Sequence, residues 1–157
     1  MSQGFLFHAV FRSGKAQWLA VSCLYSEQTK YSMHENDISF EIRKAAFKVH
    51  TALGPGLLES VYEVALAHEL QQVGLQVQRQ LPLPMMYGGV QLEAGFRMDL
   101  VVAGKVIVEI KSVETLQEVH FKQLLTYLKL SGLKLGQLIN FNVVHLKDHM
   151  HRLVNGL

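Results

Sequence analysis

Glu109 and Lys111 stand two positions apart in the run Val106-Ile107-Val108-Glu109-Ile110-Lys111. Residues two apart on a β-strand share a face, so a carboxylate and an ammonium lie side by side on an otherwise apolar strand. Burying either charge alone is expensive. The plain alternative is a partly buried ion pair, or a strand end that has already reached solvent. Asp99 sharpens the case. It lies ten residues before Glu109, on the preceding strand, with Ala103-Gly104 near the tip between them. A two-residue loop at Ala103-Gly104 would pair Asp99 with Val108 and put the two carboxylates on opposite faces. A three-residue loop, Ala103 to Lys105, pairs Asp99 with Glu109 on one face, and a bulge would do the same. A shared site requires one of these, so an odd loop or a bulge is expected.

Two facing carboxylates repel and raise a pKa. A divalent cation removes the conflict. Hard Mg²⁺ or Mn²⁺ takes carboxylate oxygen, backbone carbonyl and water, so Asp99, Glu109 and the carbonyl of Ile110 form a candidate ligand set. Lys111 would then stand where an attacking water or a phosphate oxygen lies, and would offset charge in a pentacovalent transition state.

Further polar residues fall at helical spacing. Glu59 and Tyr62 lie three apart in Gly56-Leu57-Leu58-Glu59-Ser60-Val61-Tyr62, hence on one helix face. On their own they read as a helix-start glutamate, favoured by the dipole, and a core tyrosine. His120, Gln123 and Tyr127 form a polar stripe on a later helix, opposite Leu124, Leu125 and Leu128. Such a stripe is usually solvated, but this helix follows directly on the Lys111 strand, so its first turns can overhang the site. Glu114, just past that strand, is a weaker candidate. A zinc site from His145, His149 and His151 would need convergence from a poorly patterned tail, and exposed histidines are the expectation.

The elements that must position these residues follow from periodicity. Ile38, Ile42, Ala45, Ala46, Val49 and Leu53 mark one apolar helical face, with Asn36 or Asp37 as cap. Gly54-Pro55-Gly56 ends that helix. A second helix is expected from about Leu57 to Val73, with Gly74 as its stop. Val77 to Tyr87 reads as extended, with Pro82 and Pro84 confining part of it to an edge. Gly88-Gly89 is a turn signal, Gln91 to Val102 the second strand, and Lys105 to Lys111 the third. The apolar run of the third marks a strand buried on both faces. A helix from Gln117 to Leu130 and a fourth buried strand, Leu135 to Phe141, complete the pattern. His145 to Val154 has no assignable element. The expected class is α/β, a mixed four-stranded sheet flanked by helices.

The chain has 157 residues, 49% hydrophobic and 18% charged, with a formal net charge of +2. This suits one domain with a real core, and the mild charge permits a nucleic-acid partner without demanding one. The single cysteine, Cys23, excludes an internal disulfide and fits a reducing, cytoplasmic setting. No stretch reaches the length of a membrane span. Trp18 to Leu24 is a short apolar run behind Arg12 and Lys15, yet no clean small-x-small cleavage site follows. Residues 1–32 keep no sustained period, and Met33 directly precedes the regular pattern. The functional domain is therefore expected over 33–157, with 1–32 as an extension outside the native product. A mature chain shown by N-terminal mass spectrometry to begin at Met1 or Ser2 would contradict this.

Gly56-x-x-Glu59-x-x-Tyr62, Asp99, Val108-Glu109-Ile110-Lys111, His120, Gln123-Leu124-Leu125-x-Tyr127-Leu128 and Leu138-Ile139-Asn140-Phe141, in that order, resemble the bacterial GxxExxY protein family, placed in the PD-(D/E)XK nuclease superfamily. The similarity spans about Met33 to Asn155. It implies a restriction-endonuclease-like core in which Asp99 and the Glu109-x-Lys111 pair form the Mg²⁺ site and Lys111 assists hydrolysis. It further implies that Glu59 completes the metal site and that Gln123 contributes to it, while Tyr62 and Tyr127 fall on family positions of unassigned role. A metal-dependent nuclease acting on nucleic acid, DNA in the first place, is the function implied. A non-catalytic nucleic-acid or protein-binding module on the same fold is the alternative, favoured by the modest charge and the absence of a dense basic patch. A homodimer is one way for so short a chain to reach two strands.

Overall fold

A computed structural model describes residues 33–92 and 96–156. The chain divides into a unit of residues 1–31, which lies outside the described residues, and a unit of 32–157. The expectation for residues 1–32, and that for Cys23, therefore lie outside what is described.

Helix α1 spans Glu35–Leu53 and buries Ile38, Ile42, Ala45, Ala46 and Val49 of the face that the periodicity marks, while Leu53 at its last position is exposed. It starts earlier than Asn36 or Asp37 would cap it. His34 takes that place, its Nδ1 accepting the Asn36 amide at 3.2 Å, which leaves Glu35 and Asp37 in the first turn where the helix dipole favours them. Helix α2 spans Glu59–Gln72. The three residues Gly54-Pro55-Gly56 make the corner, with Gly54 at φ 67° and Gly56 at φ 95°, angles that a side chain would resist.

The long extended segments each divide. Val77–Pro82 is β1, Met85–Tyr87 is β2, Val90–Leu92 is β3 and Arg97–Val102 is β4. Strands β2 and β3 form a separate two-stranded hairpin through Gly88-Gly89. Pro82 closes β1, and Pro84 lies between β1 and β2, as residues without a ladder donor should. Strand β5, Val106–Lys111, is followed by helix α3, Glu118–Ser131, and β6, Leu135–Asn140. The segment with no assignable element supplies a short 3₁₀ turn, Leu146–His149, and a fifth sheet strand, β7, Met150–Val154. The sheet is thus one strand wider than expected, in the order β1-β4-β5-β6-β7. Only β5 and β6 run parallel, and the other neighbours are antiparallel.

The two sheet faces differ. Leu100, Val102, Val106, Val108, Ile110, Leu135 and Ile139 pack with α1 and α2 into the main core. By strand alternation, Asp99, Glu109 and Lys111 belong to the opposite face, the side of α3. Helix α3 lies close because Gly136 has no side chain: a Cβ there would meet Leu124 at 2.8 Å.

Candidate metal centre

The position of Asp99 depends on one connection. The β4–β5 register pairs Val102 with Val106, Val101 with Ile107 and Leu100 with Val108. The loop is therefore Ala103 to Lys105, three residues, the odd length that a shared site requires. Ala103 and Gly104 both adopt left-handed angles, φ 51° and 64°, and the Lys105 amide donates to the Val102 carbonyl at 3.0 Å. Backbone pairing stops at Leu100. Beyond it, the Asp99 Oδ2 accepts the Ile110 amide at 2.9 Å, so a side chain takes over where the ladder ends.

Glu109 is 1% exposed. Its Oε1 accepts from the Lys111 ammonium at 2.7 Å, while Oε2 is buried without a partner among the described residues. Burial, and then the charge of Asp99, push its carboxyl up to about 7. Burial likewise raises Asp99, against the Ile110 amide, which favours the charged form. Burial pulls the Lys111 ammonium down, but Glu109 beside it more than restores it, with Glu59 and Asp99 adding to the effect. The result is a lysine held charged between acids that resist ionising in the absence of a further cation.

Glu59 approaches from the start of α2. Its Oε1 accepts the Ser112 amide at 3.0 Å, just past the end of β5, and Ser112 Oγ donates to the Leu57 carbonyl at 2.6 Å. These bonds tie the α2 N-terminus to the site strand. Among the described residues no three His, Cys, Asp or Glu side chains converge as a ready metal cluster. The structure therefore brings Asp99, Glu109 and Lys111 together and leaves Glu59 at the rim. A divalent cation nevertheless fits the donor set. The orphaned Oε2 of Glu109, the Asp99 carboxylate and the Ile110 carbonyl are hard oxygen donors, and a cation would reverse the burial penalty on both acids.

Tyr62 does not reach this chemistry. Its Oη donates to the Gly54 carbonyl at 2.6 Å and accepts the Leu57 amide at 3.1 Å, and its ring stacks on Phe141 at 4.5 Å. The glycine, glutamate and tyrosine spacing is thereby explained: the tyrosine returns to fasten the corner that presents Glu59. Tyr62→Phe is expected to lower stability by about 1–2 kcal/mol through two lost hydrogen bonds, while the far-UV circular dichroism stays unchanged. Chemical denaturation measures it, and an unchanged midpoint would contradict this anchoring role.

On α3, Gln123 Nε2 donates to Tyr127 Oη at 2.7 Å, and Phe96 packs edge-on against the Tyr127 ring. Burial raises the Tyr127 pKa, against the Gln123 hydrogen bond, and the charges of Glu109 and Asp99 add to the rise while Lys111 opposes it, so it remains a neutral phenol. His120 is committed to the helix start: its Nδ1 accepts the Gln117 amide at 3.0 Å within a reciprocal capping box. Glu114 is exposed in the loop after β5. His145, His149 and His151 form no metal group among the described residues, and His151 stacks edge-on with Phe121 at 5.1 Å.

Three further residues frame the site: Asn140, which the sequence pattern names without a role, and Glu63 and Gln80, which it does not single out. Asn140, fully buried and in register with Lys111, donates to the Val113 carbonyl at 2.7 Å and accepts its amide at 3.1 Å, which clamps the loop after β5. Glu63, one turn after Glu59, is 5% exposed and binds Arg79 Nε at 2.8 Å and Gln80 Nε2 at 2.6 Å. Its spacing of four from Glu59 is a signal that could have found it. Gln80 has no such signal.

A family model described as the PD-(D/E)XK nuclease superfamily matches residues 36–153. No curated protein and no solved structure matches the chain. No described helix is long and apolar enough to cross a membrane.

Proposed function

The chain belongs to the PD-(D/E)XK nuclease superfamily, and we propose that it hydrolyses phosphodiester bonds of nucleic acid, DNA in the first place, at a divalent-metal centre formed by Asp99, Glu109 and Lys111. The observation that carries this reading is the buried Glu109 Oε2, unpartnered among the described residues, beside Asp99 and an ammonium 2.7 Å from its other oxygen. Asp99, Glu109 and the Ile110 carbonyl would hold Mg²⁺ or Mn²⁺, with Glu59 at the start of α2 as a further ligand. When bound, the ion would supply Lewis acidity toward the phosphoryl group and acidify water. Lys111 orients the attacking water or a phosphate oxygen and offsets charge gathering on phosphorus. One P–O bond forms from water as one ester P–O bond breaks, which leaves a phosphate monoester and a free hydroxyl. Gln123 and Tyr127 wall the site from α3 and exclude water around the reacting bond. The order Gly56, Glu59, Tyr62 supports placing the chain with the GxxExxY group of the superfamily, and the lone cysteine suits a cytoplasmic setting.

A second reading, a binding module that keeps the fold without catalysis, is favoured by the absence of a converging three-acid cluster among the described residues. Calorimetric titration with Mn²⁺ separates the two. The nuclease reading expects saturable binding by the wild type that Glu109→Ala abolishes. Absence of binding by the wild type, with nucleic acid present or absent, favours the module.

A further inference from the structure

Gln80 sits on β1 at φ 50°, a left-handed angle that side chains other than glycine adopt only when their surroundings impose it. The flanking pairs, Arg79 with Leu100 and Leu81 with Met98, put Gln80 opposite Asp99, yet Gln80 itself drops out of the ladder. Its amide accounts for the distortion. Nε2 lies 2.6 Å from Glu63 Oε2 and 3.3 Å from Asp99 Oδ1. Carboxylates only accept, so the NH₂ group must face both, one hydrogen to each. Glu63 is 5% exposed and is also held by the Arg79 guanidinium at 2.8 Å, which makes it a fixed anchor for the Gln80 side chain. The Arg97 guanidinium reaches the Gln80 carbonyl at 3.4 Å. On the other side of Asp99, the Ile110 amide holds Oδ2 at 2.9 Å. Both carboxylate oxygens of Asp99 are thus fixed, and rotation about its last bond is blocked.

We propose that Gln80, anchored by Glu63, is the positioning residue that aims the Asp99 carboxylate for capture of the divalent cation. The proposal rests on the reading of Asp99 as a metal ligand. Outer partners that orient a ligating carboxylate typically change metal affinity or activity about 10- to 100-fold when removed. The strained backbone at position 80 is what the protein tolerates to keep that amide in place.

Two variants test it. Gln80→Gly removes the amide and accepts φ 50° without strain. Gln80→Asn also tolerates the left-handed region, but its amide falls one methylene short. Mn²⁺ affinity is measured by calorimetry for the wild type and both variants, with thermal midpoints and steady-state cleavage alongside. The expected result is about 10- to 100-fold weaker Mn²⁺ binding in both, an unchanged or raised midpoint for Gln80→Gly, and a lower kcat with little change in KM. Mn²⁺ binding within about twofold of a wild type that does bind would overturn the positioning role alone. A wild type that binds no Mn²⁺ would overturn both this role and the metal-centre reading, and the wild-type titration tells the two cases apart.

Discussion

Glu109→Gln should make the protein more stable and catalytically silent. A carboxyl pushed from 4.5 to about 7 binds a proton in the folded state that the unfolded chain has already released. Between those two pH values folded stability falls as pH rises, and above about 7 the full penalty is present. The difference corresponds to about 3 kcal/mol at pH 8, or about 10 °C in thermal midpoint for a domain of this size. The amide keeps the shape and removes the charge. Its stabilisation should therefore appear at pH 8 and vanish near pH 4.5. The same variant should lose Mn²⁺ binding and cleavage, because an amide is a poor substitute for a ligating carboxylate. Denaturation at the two pH values, with a Mn²⁺ titration, measures both. A variant less stable than wild type at pH 8 would mean that the Lys111 pair stabilises the fold more than burial of the charge destabilises it.

The proton on Glu109 also links metal and pH. A cation must displace it, so metal affinity should climb as pH rises through about 7 and level off beyond. Metal should raise the thermal midpoint far more at pH 8 than at pH 5.

The second large effect is expected at Lys111. Lys111→Met should lower metal-dependent cleavage by about 10³-fold, the scale of losing one preorganised charge stabiliser, while Mn²⁺ binds as tightly as before or more tightly. The reason is that the ammonium repels the cation as well as pairing with Glu109 at 2.7 Å. Single-turnover cleavage and calorimetry on the same preparation measure the two quantities. Parallel loss of affinity and rate would instead make Lys111 a structural support for Glu109.

Much of this site is legible in the chain because strand parity is a hard constraint. Asp99 and Glu109 can share a face only if their loop has an odd length or a bulge, and the Ala103 to Lys105 connection meets that condition. The apolar run of β5 and the spacing of α1 mark their elements for the same reason: a period repeats over many residues. Strand β7 escapes because Met150–Val154 is short and only partly buried, so it carries no clear alternation. The division at Pro82 and Pro84 shows proline chemistry overriding an extended pattern that otherwise runs on. Glu63 and Gln80 escape for different reasons. A buried glutamate looks like any surface helix acid until its Arg79 partner is placed, and a left-handed glutamine is a product of tertiary bonds rather than of local preference. Tyr62 and His120 show the converse, since residues that the sequence pattern marks beside the site serve the scaffold, one fastening a corner and the other capping a helix.

The most direct test is cleavage of a labelled panel of single- and double-stranded DNA and RNA in Mg²⁺ or Mn²⁺, with wild type, Glu109→Ala and Lys111→Ala compared at matched folded fraction. The expected result is cutting that needs the metal, stops with chelator and is lost in both variants, with DNA among the cut strands. Cutting that persists in either variant, or a wild type that binds the nucleic acids and cuts none of them, would contradict it.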